Sequence, residues 1–385
     1  MKLSLKKLPN AIVYTVIAGI MILIGRLAAR FSGVADFIQL HYMFNYGAEF
    51  LKRSLTGHMF YLLGLSSSDI AIWVNSWLIA LIAIAMLYLF ISRFKPSTDN
   101  QQNLWFLIYF AISPATISHI AYDLGRYDQL NLVLMLMSVA LVTKKYRLGA
   151  SLIAAIGVFV HEGFFFLCLP LLVAITIAES ERQSLLVGIK MAVLPSLAML
   201  IVFIFGNPET FTESDLRIIF LERFPNIDRT ALKTGIAAMF QEFDQVFLNT
   251  LQIYRRPGKW LYFIAGGTYF VAVCALYWQF YRKVKQPELR LVLISPFASA
   301  VLFLVAVDYF RWIALICLNM FLAYSYCSHK MQRLNLADSH PPILLKFTAL
   351  FVFLGPLGCI VAFPLINQLV HSLFAENIFK PLFGG

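Results

Sequence analysis

The chain reads as long apolar runs separated by short polar breaks, and within the runs apolar residues follow one another without alternation. Barrel strands need strict alternation over about ten residues, so these runs predict helices. The runs are Ala11–Gly25, Ile70–Ser92, Leu104–Ile120, Leu130–Val142, Leu148–Val160, Phe164–Ala178, Leu185–Phe205, Trp260–Tyr281, Leu291–Val307, Trp312–Tyr324 and Phe347–Ile366. Several fall below the ~20 residues of a full crossing. Pro114 interrupts the third, and a polar His161-Glu162-Gly163 step precedes the sixth. The fold class expected is all-α, a polytopic membrane protein with about eleven transmembrane helices, several of them short or broken. It forms one integral membrane domain over 1–385, with outer loops at 26–69 and 206–259 and a cytoplasmic loop at 325–346.

Composition narrows the class. The chain is 60% hydrophobic and 13% charged, where a soluble domain carries about 25% charged residues. Disorder, collagen, coiled coils and disulfide-stapled secreted domains are excluded. The five cysteines are scattered without C-x-x-C spacing and read as packing residues.

The formal net charge of +11 raises a nucleic-acid reading, which the placement of the charges removes. Lys2, Lys6 and Lys7 precede the first run. Placing them in the cytoplasm also puts Arg93, Lys95, Lys144, Lys145 and Arg147 there. The inner loops then hold the basic excess, as the positive-inside rule requires, and no nucleic-acid partner is expected. No small-x-small cleavage site follows the first run, so it is expected to be an uncleaved anchor in a cytoplasmic (inner) membrane, with the C-terminus outside.

Four polar clusters fall on the outer side of this topology. The first loop carries Asp36, His41, Glu49, Lys52, Arg53 and His58. Asp123-Leu124-Gly125-Arg126-Tyr127-Asp128-Gln129, His161-Glu162 and Asp308-Tyr309-Phe310-Arg311 are the others. Ionisable groups at membrane depth are costly and mark function by default. Each also has a plain explanation, in facing water or snorkelling to headgroups, as Lys190 is expected to do. No H-E-x-x-H or second helically spaced histidine accompanies His161, so no metal and no other cofactor is expected. In the second outer loop, Thr212-x-x-Asp215 reads as a capping box. Beyond it, Leu232, Ile236, Met239, Phe240, Phe243 and Phe247 recur at helical spacing. That amphipathic helix either lies on the membrane surface or packs on the outer ends of the spans.

Carboxylates beside arginines suit one kind of chemistry. An Asp or Glu can take the proton of a sugar hydroxyl. Arg53, Arg126 and Arg311 can grip a phosphate or diphosphate by paired hydrogen bonds. Short, tilted helices admit a polyprenyl chain from the side. With Asp36 in the first outer loop and Gly125-Arg126-Tyr127-Asp128 opening a central span, the chain resembles the GT-C superfamily of polytopic glycosyltransferases and the bacterial O-antigen and exopolysaccharide polymerases like them. The resemblance implies an enzyme that transfers a sugar or glycan from a polyprenyl-phosphate-linked donor to a glycan acceptor, in polysaccharide biosynthesis on the outer face of the membrane. Under it Asp36 is the catalytic base, with Glu49, Asp128 and Glu162 as further candidates. Arg126, Arg311 and Arg53 bind phosphate, His161 bonds a phosphate or hydroxyl oxygen, and Asp308 joins the substrate-binding set. The first loop lacks the adjacent Asp-Asp or Glu-x-Asp pair common in that group, so the base stays open between Asp36 and Glu49.

A flippase or transporter of lipid-linked oligosaccharide is the competing class. It calls for charges along a path through mid-depth and often for repeat-related broken helices. Here the charges gather on one face and no internal repeat is seen, which favours the enzyme.

Overall fold

The protein is described by a computed structural model covering residues 10–30, 34–47, 50–66, 68–95, 100–180, 184–208, 210–223, 229–240, 248, 252, 259–304, 308–333, 351, 355–358 and 363. The described residues are helical, with no strand among them. In chain order the helices are α1 (Asn10–Ala28), α2 (Asp36–Met43), α3 (Leu55–Leu62), α4 (Asp69–Arg93), α5 (Asn100–Ile112), α6 (Ile117–Tyr122), α7 (Tyr127–Thr143) and α8 (Arg147–Val160). They continue as α9 (Gly163–Leu167), α10 (Leu169–Ala178), α11 (Leu185–Phe205), α12 (Glu213–Arg223), α13 (Arg229–Phe240), α14 (Lys259–Tyr281), α15 (Pro287–Ile294) and α16 (Tyr309–Arg333).

Among the described residues, five stretches are long and apolar enough to cross a bilayer: α1, α4, the α5–α6 run over Asn103–Tyr122, α11, and α16 over Tyr309–Gln332. Three shorter apolar helices, α7, α8 and α10, accompany them. Apolar side chains remain exposed along whole faces, such as Val16, Ile20 and Leu23 on α1 and Leu197, Leu200 and Phe203 on α11. Faces of that length are what lipid, not water, accommodates.

The expected count of about eleven spans is not confirmed among the described residues, where several runs break. Leu104–Ile120 folds as two helices parted by a turn at 113–116, where Pro114 has no N–H to give. The hydroxyl of Thr116 donates back to Phe110 O at 2.7 Å, and Ser113 Oγ meets Tyr269 Oη at 2.7 Å. Residues much later in the chain help close this break: Leu357 N–H donates to Pro114 O at 3.1 Å, and His119 Nδ1 lies 2.5 Å from Leu357 O. Phe164–Ala178 parts at Cys168 into α9 and α10. Leu291–Val307 becomes α15 followed by a tighter 3₁₀ stretch over Ser295–Leu304. The expected span Phe347–Ile366 lies outside the described residues except at 351, 355–358 and 363.

Residues 325–333 of the expected cytoplasmic loop continue α16, which runs on to Arg333, and 334–346 lie outside the described residues. Its polar residues there face the bundle and are satisfied: Ser325 Oγ donates to Phe94 O at 2.5 Å, and Tyr326 Oη to Glu179 Oε1 at 2.9 Å. Lys330 Nζ pairs with the same carboxylate at 2.8 Å, and Lys145 Nζ donates to the Glu179 carbonyl at 2.8 Å. This knot ties α10, the α7–α8 turn and α16 together at the end of the bundle away from the polar clusters.

At the clustered end, small residues set the packing. A Cβ on Gly25 would lie 2.5 Å from Ser118 O, so α1 presses directly on α6. A Cβ on Gly57 would lie 2.0 Å from Phe44 O, so α3 seats on the end of α2. The capping box forms reciprocally: Thr212 N–H donates to Asp215 Oδ2 at 2.9 Å and Asp215 N–H to Thr212 Oγ1 at 3.3 Å. Of the amphipathic helix, Leu232 and Ile236 are buried against Leu40, Phe44, Leu216 and Phe220. The helix therefore packs on the α2 region. The side chain of Met239, and Phe243 and Phe247, lie outside the described residues.

Candidate functional site

The site is assembled from four segments at one end of the bundle. The turn Asp123–Arg126 joins α6 to α7 and depends on Gly125, whose φ of +91° is left-handed. A Cβ there would also meet Ser76 Oγ at 2.6 Å. Arg126 leaves this turn toward two carboxylates, with Nε 3.6 Å from Asp123 Oδ1 and Nη1 3.5 Å from Asp308 Oδ2. Asp308 precedes α16 and also receives Arg311 Nη1 at 2.9 Å. Arg311 Nε stands 3.4 Å from Asp128 Oδ2 in the first turn of α7, and its guanidinium lies 4.0 Å over the Trp312 ring. Arg126–Asp308–Arg311–Asp128 is thus one continuous ionic chain across α7 and α16.

A second ionic unit joins the segment before α3 to the α8–α9 turn. Arg53 Nε donates to both oxygens of Glu162, at 2.8 and 3.0 Å, and Nη2 reaches Oε1 as well. Arg53 holds φ at +64°, a conformation costing a non-glycine residue about 1 kcal/mol or more. His161 Nδ1 accepts from Gly163 N–H at 2.8 Å and lies 3.7 Å from Glu162 Oε2. The two units meet through Asn131, whose Nδ2 donates to His161 O at 3.1 Å one turn beyond Asp128.

Charge and burial fix the protonation pattern in the loops. Burial alone raises the Glu162 acid, but Arg53, His161 and Lys52 outweigh it, and Glu162 titrates far below the usual carboxylate range. Burial pushes His161 down to about 4; Arg53 and Arg311 add to this, while Glu162 and Asp128 oppose it. His41 is lowered well below its ordinary value by burial, then by Arg53, His161 and Arg126. Arg53 of its own cluster and residues of two other clusters therefore act on His41.

Of the residues expected at the site, Arg53, Arg126, Asp128, His161, Glu162, Asp308 and Arg311 are brought to this one end. Asp36 opens α2, the helix that carries His41. Its side chain and the whole of Glu49 lie outside the described residues. Glu162 is a poor base here, because Arg53 engages both of its oxygens. Asp128 is better placed: it is buried, its Oδ2 faces Arg311, and its Oδ1 has no hydrogen-bond partner among the described residues. The same holds for Asn131 Oδ1, on the same face of α7.

Sequence reasoning missed Asn131 and His119. Asn131 is a lone amide in an apolar run, i+3 from Asp128, and that spacing was its signal. His119 sits 3.8 Å from Asp123 Oδ2 at i,i+4, just after the Pro114 break. Among the described residues, no group of three or more His, Cys, Asp or Glu is arranged to hold a metal ion. No family model matches the chain, and no match was found among curated proteins or solved structures.

Proposed function

We propose that the protein is a membrane glycosyltransferase of the GT-C-like kind, taking its sugar or glycan from a polyprenyl-(di)phosphate-linked donor on the outer face of the cytoplasmic membrane. The observation that carries this reading is the buried, unpartnered acceptor pair Asp128 Oδ1 and Asn131 Oδ1 beside an ionic chain of Arg126, Asp308 and Arg311. A carboxylate takes the proton of the acceptor hydroxyl, and that oxygen bonds to the anomeric carbon. The C–O bond to the lipid phosphate breaks, and the phosphate leaves with the bonding electron pair, its charge met by Arg126 and Arg311. Asp36 and Asp128 are the candidate bases, and His161 a donor or acceptor toward substrate oxygens. Surface-polysaccharide assembly, by single-sugar transfer or by joining repeat units, is the corresponding cellular role.

The test uses the full chain in lipid nanodiscs with a polyprenyl-phosphate-linked sugar and an oligosaccharide acceptor. Glycan product and released polyprenyl phosphate are expected in equal amounts, and Asp36→Asn, Asp128→Asn and Arg126→Ala are expected to abolish both at unchanged expression. Full activity in all three variants sinks the assignment.

Flipping of a lipid-linked oligosaccharide is the second reading, and the broken α5–α6 run favours it, since discontinuous helices line transport sites. Translocation of a fluorescent lipid-linked glycan across the vesicle membrane without glycan product would select it.

A further inference from the structure

Helix α3 connects two environments. Arg53, bound to Glu162, lies just before its first residue, and Leu62 and Leu63 at its other end are 70% and 67% exposed. Eight residues at 1.5 Å each make it about 12 Å long. Its exposed end continues, through the turn at 63–66, into the exposed apolar side chains Ile70, Trp73 and Val74 of α4. Because α4 is long and apolar enough to cross the bilayer, this face belongs to the lipid-facing surface.

A file of rings runs along the same helix toward the charged site. Tyr61 stacks on His58 at 6.1 Å, His58 lies 5.1 Å from Tyr46, and Tyr46 stacks on Phe50 at 5.1 Å with ring planes 7° apart. Phe50 meets the edge of Phe159 at 6.3 Å, two residues before His161. Ring contacts of this kind form an apolar surface with fixed faces. The file begins at exposed Tyr61 and ends beside the Arg53–Glu162–His161 unit.

We propose that this α3 surface seats the apolar tail of a polyprenyl phosphate whose phosphate lies beyond the Arg53 end of the helix, at Arg126 and Arg311. The proposal rests on the donor class given under Proposed function and adds where that donor enters and lies. An amphipathic molecule with one anionic head and a long apolar chain matches the surface at both ends, whereas a soluble sugar phosphate would leave the ring file and the Leu62–Leu63 end unused.

The test places the full chain in nanodiscs of phosphatidylethanolamine and phosphatidylglycerol with a polyprenyl phosphate carrying a diazirine near its head-group end. Photo-adducts are expected at Tyr46, Gly47 and Phe50 and within 55–65, to fall about tenfold with excess unlabelled polyprenyl phosphate, and to resist excess phosphatidylglycerol. Tyr61→Ala, at a surface position that spares the core, and His58→Ala are expected to lower the adduct yield several-fold at unchanged thermal midpoint. Adducts that polyprenyl phosphate displaces but that map to other helices overturn the α3 seat and leave the donor class standing. Adducts that phosphatidylglycerol displaces equally well show bulk lipid only, and overturn both.

Discussion

Arg53 and Glu162, 109 residues apart, bind through both carboxylate oxygens, and Arg53 holds a left-handed backbone while doing so. That pairing fixes the segment before α3 to the α8–α9 turn and has separable side-chain and backbone consequences.

Removing either partner leaves the other charge partly buried and uncompensated. Arg53→Ala and Glu162→Ala are each expected to destabilise by about 1–3 kcal/mol, below the fully buried case because both side chains keep some exposure. The double variant should cost less than the two singles summed, by thermal unfolding in detergent. Arg53→Gly should be about 1 kcal/mol more stable than Arg53→Ala, since glycine accepts the left-handed φ.

The turn before α7 gives a sharper steric test. Gly125→Ala combines a left-handed φ with a clash against Ser76, and is expected to cost on the order of 2–4 kcal/mol. Gly163→Ala would place its Cβ 2.8 Å from His161 Nδ1, so it should disturb the histidine with less effect on the backbone. Thermal midpoints of the two variants should rank Gly125→Ala lower.

Acid should weaken the fold through two groups acting in the same direction. The His161 pKa falls from 6.5 to about 4 on folding, so the unfolded chain binds the extra proton between those values and stability declines as pH falls through that window. Glu162 is depressed on folding, so its contribution is complete above the unfolded value near 4.5 and is lost only at more acidic pH. His161→Asn keeps an acceptor for Gly163 N–H without a titrating ring. Its thermal midpoint should vary less between pH 7 and 4 than that of the parent, and an unchanged slope would refute the role of His161.

Arg311 is expected to resist replacement by lysine. Its guanidinium serves Asp128 and Asp308 at once and lies over Trp312, geometry that a point-charge ammonium cannot reproduce. Arg311→Lys should lower turnover in the proposed transfer reaction about tenfold or more while retaining expression, measured with the nanodisc assay.

Hydropathy alone placed α1, α4, α7, α8, α11 and α14 within a few residues, because an apolar run in a helix is a local property. It placed all four polar clusters at one end for the same reason: the direction of each span follows from the order of spans. Pairings were a different matter. Arg126 meets Asp308 across 182 residues, and nothing local in either segment selects the other. Which helices are neighbours depends on close approaches such as Gly25 on Ser118 and Gly57 on Phe44, and these are properties of the packed bundle. The C-terminal extension of α16 was hidden by its polarity, since Ser325, Tyr326 and Lys330 look solvent-bound until their partners Phe94 and Glu179 are in place.

The contact between His119 and Leu357 has a temporal side. The two residues are separated by 238 positions, so a ribosome adding about 5–20 residues per second delivers Leu357 roughly 10–50 s after His119. Through that interval the Pro114 carbonyl and the His119 ring must do without their final partner. Closure of the broken helix is therefore among the last events of biogenesis, and a nascent chain stalled before residue 357 should be recognised as incomplete by membrane quality control even with every preceding helix inserted.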